Sequence, residues 1–108
     1  MPGLQLSADA LFEKCAKLPR VEVSKPAGVI GRNTVDSIRS GLTYGYADLV
    51  DGLVVRIAED MGVAPHVVAT GGLAHVIAAI ARRIDRVDPL LTLKGLKTIY
   101  RRNEKGPA

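Results

Sequence analysis

The chain has 108 residues, enough for one domain, and it carries a formal net charge of +4. Its 47% apolar and 24% charged residues exclude an intrinsically disordered protein. The basic residues are mostly dispersed and aromatic residues make up only 4% of the chain, so we expect no nucleic-acid partner. One cysteine excludes an intrachain disulfide framework and a four-cysteine zinc site. No run of about 18 apolar residues and no secretory leader pattern is present, so we expect a cytosolic protein without membrane contact.

A helix and a short strand are predicted in the first 30 residues. Ser7 is a good N-cap and Asp9 follows in the first turn, where the helix dipole favours an anion. Apolar residues then recur at helical spacing at Ala8, Leu11, Phe12, Cys15 and Ala16. This pattern places Cys15 in the core. Val21 and Val23 alternate with polar residues, which predicts a short strand.

The strongest pattern is that of a long helix. Asn33 is a candidate N-cap, with Asp36 at the capping-box position. Apolar residues then recur at steps of three and four residues until Gly62, which is expected to stop the helix. They are Val35, Ile38, Leu42, Tyr46, Leu49, Val50, Leu53, Ile57 and Met61. At 1.5 Å per residue the helix would be about 40 Å long. Because that length exceeds a small domain, we expect part of it to pack on another chain.

Three glycines interrupt this helix on one side. Gly41, Gly45 and Gly52 follow one another at steps of four and seven, and each costs about 1 kcal/mol relative to alanine. Missing side chains allow another backbone to approach closely. A tight helix crossing within the chain would explain them, as would a dimer interface, which the length of the helix favours.

The last 40 residues predict a strand, a glycine turn and two helices. The apolar run 67–69 precedes Thr70, Gly71 and Gly72, and a helix follows through Ile80. A protein backbone meets nucleotides at such turns, although any tight strand-to-helix turn can use a glycine pair. Asp88-Pro89 or Thr92 would begin the last helix, whose apolar residues are Leu93, Leu96, Ile99 and Tyr100.

Few residues suggest chemistry by themselves. His66 and His75 have no partner at metal-ligand spacing, so neither is expected to bind a metal. Asp48 and Asp51 could act as a general base or cation ligands, but a solvated helix face is the commoner role. Asp88 is expected at the surface. The sequence contains no P-loop, Rossmann or zinc motif.

The order of four segments nevertheless resembles the C-terminal half of type III pantothenate kinases. The segments are PGLQLSADALFEKCAKLPRVEV, VIGRNTVDSIRSGLTYGYADLVDGLVVRI, VVATGGLAHVIA and IDRVDPLLTLKGLKTIYRRN. The resemblance implies transfer of the ATP γ-phosphate to pantothenate, the first step of coenzyme A synthesis. It also implies a homodimer, magnesium with ATP, and a monovalent cation such as K⁺ or NH₄⁺. The family's actin-like ATPase fold has two α/β domains around a nucleotide cleft, and residues 1–108 would form a truncated second domain, α-rich with few short strands.

The resemblance assigns roles to a few residues. Thr34 falls on the threonine of the family's G-[KR]-N-T stretch, which contacts pantothenate, and Thr70, Gly71 and Gly72 fall on a nucleotide-binding turn. The family's D-x-G-N-T, G-x-D-R and D-x-G-T-A stretches do not occur in the 108 residues. Because these supply the phosphate loop, the catalytic aspartate and the cation site, no catalytic or metal-binding residue is assigned here. We expect this chain alone to be inactive.

Two residues depart from the family pattern, and three interpretations of the chain stay open. Cys15 stands where the family usually has threonine or alanine, and Arg39 stands where it often has glutamine, beside the presumed interface. The chain could be part of an active kinase, a non-catalytic dimerisation or binding module derived from one, or an unrelated basic helical domain.

Overall fold

The computed structural model describes residues 3–15 and 17–104, which form a helix-rich chain with two short parallel strands. The elements in chain order are α1 (Leu4–Lys14), α2 (Thr34–Met61), β1 (Val68–Ala69), α3 (Ala74–Ile80), β2 (Arg86–Val87) and α4 (Leu91–Glu104). None of the helices in these ranges has the length and apolar character needed to cross a membrane.

Helix α2 begins and ends where the sequence predicts. The Asn33 side chain accepts a hydrogen bond from the Asp36 backbone N–H at 2.8 Å, and its amide donates to the Asp36 carboxylate at 3.0 Å. At the other end Gly62 adopts a left-handed conformation with φ 74°, and its N–H bonds to the Ala58 carbonyl. The predicted cap, length and stop are therefore confirmed.

The buried side of α2 is made of small side chains. Ser40, Thr43 and Ala47 are buried there, and both α1 and α3 pack against α2. Both hydroxyls are satisfied, because Thr43 donates to the Arg39 carbonyl at 2.6 Å and Ser40 donates to the Val29 carbonyl. Small side chains and internal hydrogen bonds let the neighbouring elements approach α2 closely.

Strands β1 and β2 form a parallel pair joined through α3. Val68 pairs with Arg86 and Ala69 with Val87. The Ala69 carbonyl also accepts the Asp88 N–H at 2.8 Å, which extends the pairing to the start of the next loop. The 67–69 run is confirmed as a strand region, whereas β2 was not predicted from the sequence.

The first helix differs from its prediction at both ends. It begins at Leu4 with Gly3 as N-cap, so Ser7 lies inside the helix, where its hydroxyl shares a 2.7 Å hydrogen bond with Tyr46. It ends at Lys14, and Cys15 is exposed. The prediction of a core thiol was wrong, because the helix ends before the cysteine. Ala16, the last residue of the predicted pattern, lies outside the described residues.

The predicted strand at Val21 and Val23 does not form. Residues 19–26 contain no helix or strand, although Val21 itself is buried. The backbone carbonyl of Glu22 accepts a hydrogen bond from the Arg39 guanidinium at 3.1 Å. The alternating pattern therefore reflects an irregular segment that buries one valine and whose Glu22 carbonyl is bonded by a side chain of α2.

Candidate functional site

The start of α2 carries the proposed substrate residue. Thr34 is the first residue of the helix and is exposed. Three residues earlier, a Cβ placed on Gly31 would lie 2.6 Å from the Cα of Ser37, so only glycine fits without displacing the helix backbone. The Gly31–Thr34 stretch thus wraps closely around the first turn of α2.

A small cavity lies beside this turn. It has a volume of about 280 Å³ and mixes apolar and charged side chains. The residues around it are Pro26, Ala27, Gly28, Ile30, Arg32 and Asp36. Thr34 is exposed but is not among the lining residues of this cavity.

The glycine turn follows β1, as the sequence predicts. Gly71 has φ +110°, a conformation that side chains rarely adopt, and nothing lies within 4 Å of a Cβ placed on Gly71 or Gly72. Thr70 is exposed. The turn therefore offers bare backbone at the surface, which is the geometry that a close ligand contact needs.

This turn borders a large, mainly apolar groove. The groove has a volume of about 600 Å³ and lies between the start of α1, the middle of α2 and the β1–α3 turn. Its lining residues are Gly3, Leu4, Gln5, Leu6, Val50, Val67, Val68, Ala69, Thr70, Gly71, Leu73, Ala74, Ile77 and Ile84. A groove of this size and character can hold a flat apolar group such as a nucleobase.

Thr34 and the glycine turn do not share a cavity. Val50 is the residue of α2 that borders the groove, and it lies 16 residues beyond Thr34. At 1.5 Å per residue that is about 24 Å along the helix. A single ligand would have to be about that long to contact both places. Otherwise the two places contact separate ligands.

The glycine side of α2 faces away from the core. Nothing lies within 4 Å of a Cβ placed on Gly41, Gly45 or Gly52. At about 100° per residue these three positions point nearly opposite to the buried Ser40, Thr43 and Ala47. No element in the described part of this chain crosses α2 at these glycines, so the explanation by a tight crossing within the chain is wrong. Their side of the helix is open.

Asp51 has a structural contact that the sequence did not reveal. Its carboxylate accepts the Arg82 backbone N–H at 2.9 Å and 3.1 Å and the Arg83 backbone N–H at 3.0 Å. These residues, with Asp48, Gly52 and Val55, line a polar hollow of about 490 Å³. Asp51 thus anchors the loop after α3 to α2. No local pattern could identify this role, because the partners lie 31 and 32 residues away.

Asp88 is buried and holds the start of α4, contrary to the surface position expected from the sequence. The Lys94 ammonium lies 2.8 Å from its carboxylate, and the Leu90 N–H donates to it at 3.0 Å. The hydrogen bond from Lys94 is the main reason why the pKa of Asp88 lies below its ordinary value, and burial opposes this shift. A negative charge is therefore retained just before the first turn of α4.

The remaining titratable groups form no metal centre in the described ranges. His66 lies 3.7 Å from Asp85, and both side chains are exposed. His75 is also exposed. Within residues 3–15 and 17–104, no group of three or more histidine, cysteine, aspartate or glutamate side chains could hold a metal ion.

Comparisons with known proteins agree on one family. The model of the family described as type III pantothenate kinase matches residues 1–56. A curated protein of Anaeromyxobacter sp. (strain Fw109-5), named type III pantothenate kinase, is 55% identical over 102 residues. That match covers 94% of this chain and 40% of the relative, in its C-terminal part.

The family match spans more than half of the chain and includes all of α1, the segment with Gly31 and Thr34, and most of α2. The interpretation as an unrelated basic helical domain is therefore wrong. The chain belongs to the type III pantothenate kinase family and corresponds to the C-terminal part of its members.

Proposed function

We propose that this chain is the C-terminal part of an enzyme that transfers the γ-phosphate of ATP to pantothenate, the first step of coenzyme A synthesis. The observation that carries the proposal is the 55% identity, over 94% of the chain, to a protein named for that activity. The match leaves more than half of that relative's length without a counterpart, so the complete activity belongs to the whole kinase.

Thr34 is proposed to contact pantothenate. Its hydroxyl is exposed at the first position of α2, where backbone N–H groups of the first turn also point outward. Pantothenate carries hydroxyl, amide and carboxylate groups, all of which can accept a hydrogen bond from such donors. Gly31 supports this role, because it lets the preceding loop lie directly against the helix.

Thr70, Gly71 and Gly72 are proposed to contact the nucleoside of ATP. The open backbone at Gly71 and Gly72 supports close approach, and the adjoining apolar groove supports burial of a base. Thr70 adds a hydroxyl at the rim. These features favour binding of the adenosine end, and they include no side-chain cation that could hold the triphosphate.

The reactive parts are proposed to come from the rest of the kinase. Phosphoryl transfer depends on positioning and on charge neutralisation by metal ions and cationic groups. The described residues do not fit a metal site, and Asp51 and Asp88 are already engaged with backbone N–H groups and a lysine. Magnesium with ATP, and the K⁺ or NH₄⁺ ion, are therefore assigned to that other part.

The glycine side of α2 is proposed to form a homodimer interface. Gly41, Gly45 and Gly52 are open, and they point away from the buried side of α2. A helix surface without side chains lets a second helix approach closely. The same observation favours the second candidate function, a non-catalytic dimerisation or binding module derived from the kinase.

A hydroxyl deletion at Thr34 tests the substrate contact. The enzyme for this test is a full-length chimera in which this chain replaces the matched region of the Anaeromyxobacter relative. Thr34→Val should weaken the use of pantothenate about two- to twelvefold, the equivalent of one lost hydrogen bond of about 0.5–1.5 kcal/mol, and leave the KM for ATP unchanged. Thr98→Val, another exposed helical threonine, is the matched control. Unchanged pantothenate KM and kcat in Thr34→Val would remove Thr34 from the site.

A further inference from the structure

Arg39 links two parts of the chain that lie beside the start of α2. Its Nε donates to the Glu22 backbone carbonyl at 3.1 Å, and one of its terminal nitrogens lies 3.4 Å from the Asp36 carboxylate. The Arg39 side chain is only 23% exposed. At about 100° per residue it points away from the glycine side of α2, so these contacts do not belong to the proposed interface.

The contact continues from Asp36 to the residue before Thr34. The other oxygen of the Asp36 carboxylate accepts the Asn33 amide at 3.0 Å, while the Asn33 side-chain oxygen accepts the Asp36 N–H at 2.8 Å. The Asn33 backbone carbonyl also accepts the Ser37 N–H at 2.9 Å. The side chains of Arg39, Asp36 and Asn33 therefore form one network, the Arg39 network, which ends directly beside Thr34.

The far end of the Arg39 network is held by buried residues. Segment 19–26 contains no helix or strand, but Val21 and Pro26 within it are buried. Glu22 lies between them, so the carbonyl that Arg39 binds is a firm anchor. Arg39 therefore ties the first turn of α2 to a segment that is itself fixed by burial.

Thr34 depends on the first turn for its orientation. It is the first residue of α2, it is exposed, and its hydroxyl makes no hydrogen bond within residues 3–15 and 17–104. The direction of this hydroxyl therefore follows the backbone of the turn. Since helix ends fray readily, a network that holds Asn33 keeps Thr34 in place before a substrate arrives.

We propose that Arg39 is a positioning residue for pantothenate binding. Through Asp36 and Asn33 it holds the first turn of α2, and so it presents the Thr34 hydroxyl to the substrate in one orientation. The inference rests on the proposed contact between Thr34 and pantothenate. A partly exposed ion pair of this kind adds little to global stability, so the effect of losing it should be local.

Hydrogen exchange measured by NMR in the 108-residue chain tests whether Arg39 holds the turn. The Asp36 and Ser37 amides are bonded to Asn33, and the Gly62 amide, bonded at the other end of α2, is the reference. In Arg39→Ala the first two amides should exchange about fivefold faster or more, with Gly62 unchanged. Unchanged rates at Asp36 and Ser37, or an equal acceleration at Gly62, would overturn the proposal.

Two further variants separate the network from a general charge effect. Arg39→Lys keeps a positive charge near Asp36 but loses the Nε bond to Glu22, so its rates should lie between those of the wild type and Arg39→Ala. Lys14→Ala removes the same charge at an exposed side chain that makes no hydrogen bond or ion pair in the described part of the chain, and it should change none of the three rates. The same acceleration in Lys14→Ala as in Arg39→Ala would contradict the inference.

A double variant in the full-length chimera tests whether Arg39 acts through Thr34. Arg39→Ala should lower kcat/KM for pantothenate about two- to twelvefold, as Thr34→Val does, and leave the KM for ATP unchanged. The double variant should be no more than about twofold worse than Thr34→Val alone. Additive losses or a raised KM for ATP would overturn the proposal. If Thr34→Val changes nothing, the substrate contact of the proposed function fails together with this inference, whereas an effect of Thr34→Val without one of Arg39→Ala overturns this inference alone.

Discussion

Removal of the Asp51 carboxylate should release the loop that follows α3. This carboxylate accepts two backbone N–H groups, from Arg82 and Arg83, at 2.9–3.1 Å. Hydrogen bonds to a charged acceptor contribute about 1.5–3 kcal/mol each. Since these bonds lie near the surface, water can satisfy the freed N–H groups, and we expect Asp51→Ala to lower the free energy of unfolding by about 1.5–3 kcal/mol in total.

The hollow beside Asp51 contains its own control. Asp48 is exposed, lies one helical turn earlier and lines the same hollow, but it makes no hydrogen bond or ion pair in the described part of the chain. Asp48→Ala should therefore change the free energy of unfolding by less than about 0.5 kcal/mol. Both variants remove one negative charge from α2, so a general charge effect would appear equally in each.

Urea unfolding followed by far-UV circular dichroism measures this difference. With an m-value of about 1–3 kcal/mol/M, a loss of about 2 kcal/mol moves the midpoint by roughly 1 M. Asp51→Asn keeps one acceptor oxygen and should fall between the wild type and Asp51→Ala. Equal midpoints for Asp51→Ala and Asp48→Ala would refute the anchoring role.

Three further predictions concern other contacts. Gly31→Ala places a Cβ against the Ser37 backbone and should lower the free energy of unfolding by about 1–3 kcal/mol, whereas Gly28→Ala, which meets nothing within 4 Å, should not change the urea midpoint. The folded-state pKa of Asp88 is lowered from 3.8, mainly by its hydrogen bond from Lys94, so the ionised carboxylate stabilises the fold fully above pH 3.8. This stabilisation is lost as the pH falls through the lower folded-state pKa, and Asp88→Asn should therefore make Tm depend less on acid pH. Gly45→Leu should weaken self-association in sedimentation without unfolding the monomer, because its side is open; unchanged association would exclude this face as the interface.

Local signals predicted α2 well and the elements around it less well. Asn33, the apolar spacing and Gly62 act within a few residues of the helix they define, so the sequence alone set its bounds correctly. Cys15 was misplaced because α1 ends at Lys14, and Ser7 was misplaced because the helix begins one turn before this good N-cap type, at Gly3. Residue type does not show which of two possible starts the tertiary packing will select.

Contacts over long sequence separations explain the other differences. Asp51 binds a loop more than 30 residues away, and β2 is a two-residue strand whose identity depends on pairing with β1. Thr34 and Thr70 were identified through resemblance to a family, and their ligand contacts stay predictions. The open side of Gly45 could be recognised only once the buried side of α2 was known.

The activity of this chain, with and without the rest of a kinase, tests the central proposal most directly. The measurement is ATP-dependent formation of 4′-phosphopantothenate with magnesium and potassium present. We predict no turnover by the 108-residue chain, because its sequence lacks the phosphate loop, the catalytic aspartate and the cation site. We predict turnover when the chain replaces the matched region of the Anaeromyxobacter relative. Turnover by the chain alone, or a folded chimera that binds ATP and leaves pantothenate unphosphorylated, would contradict the account.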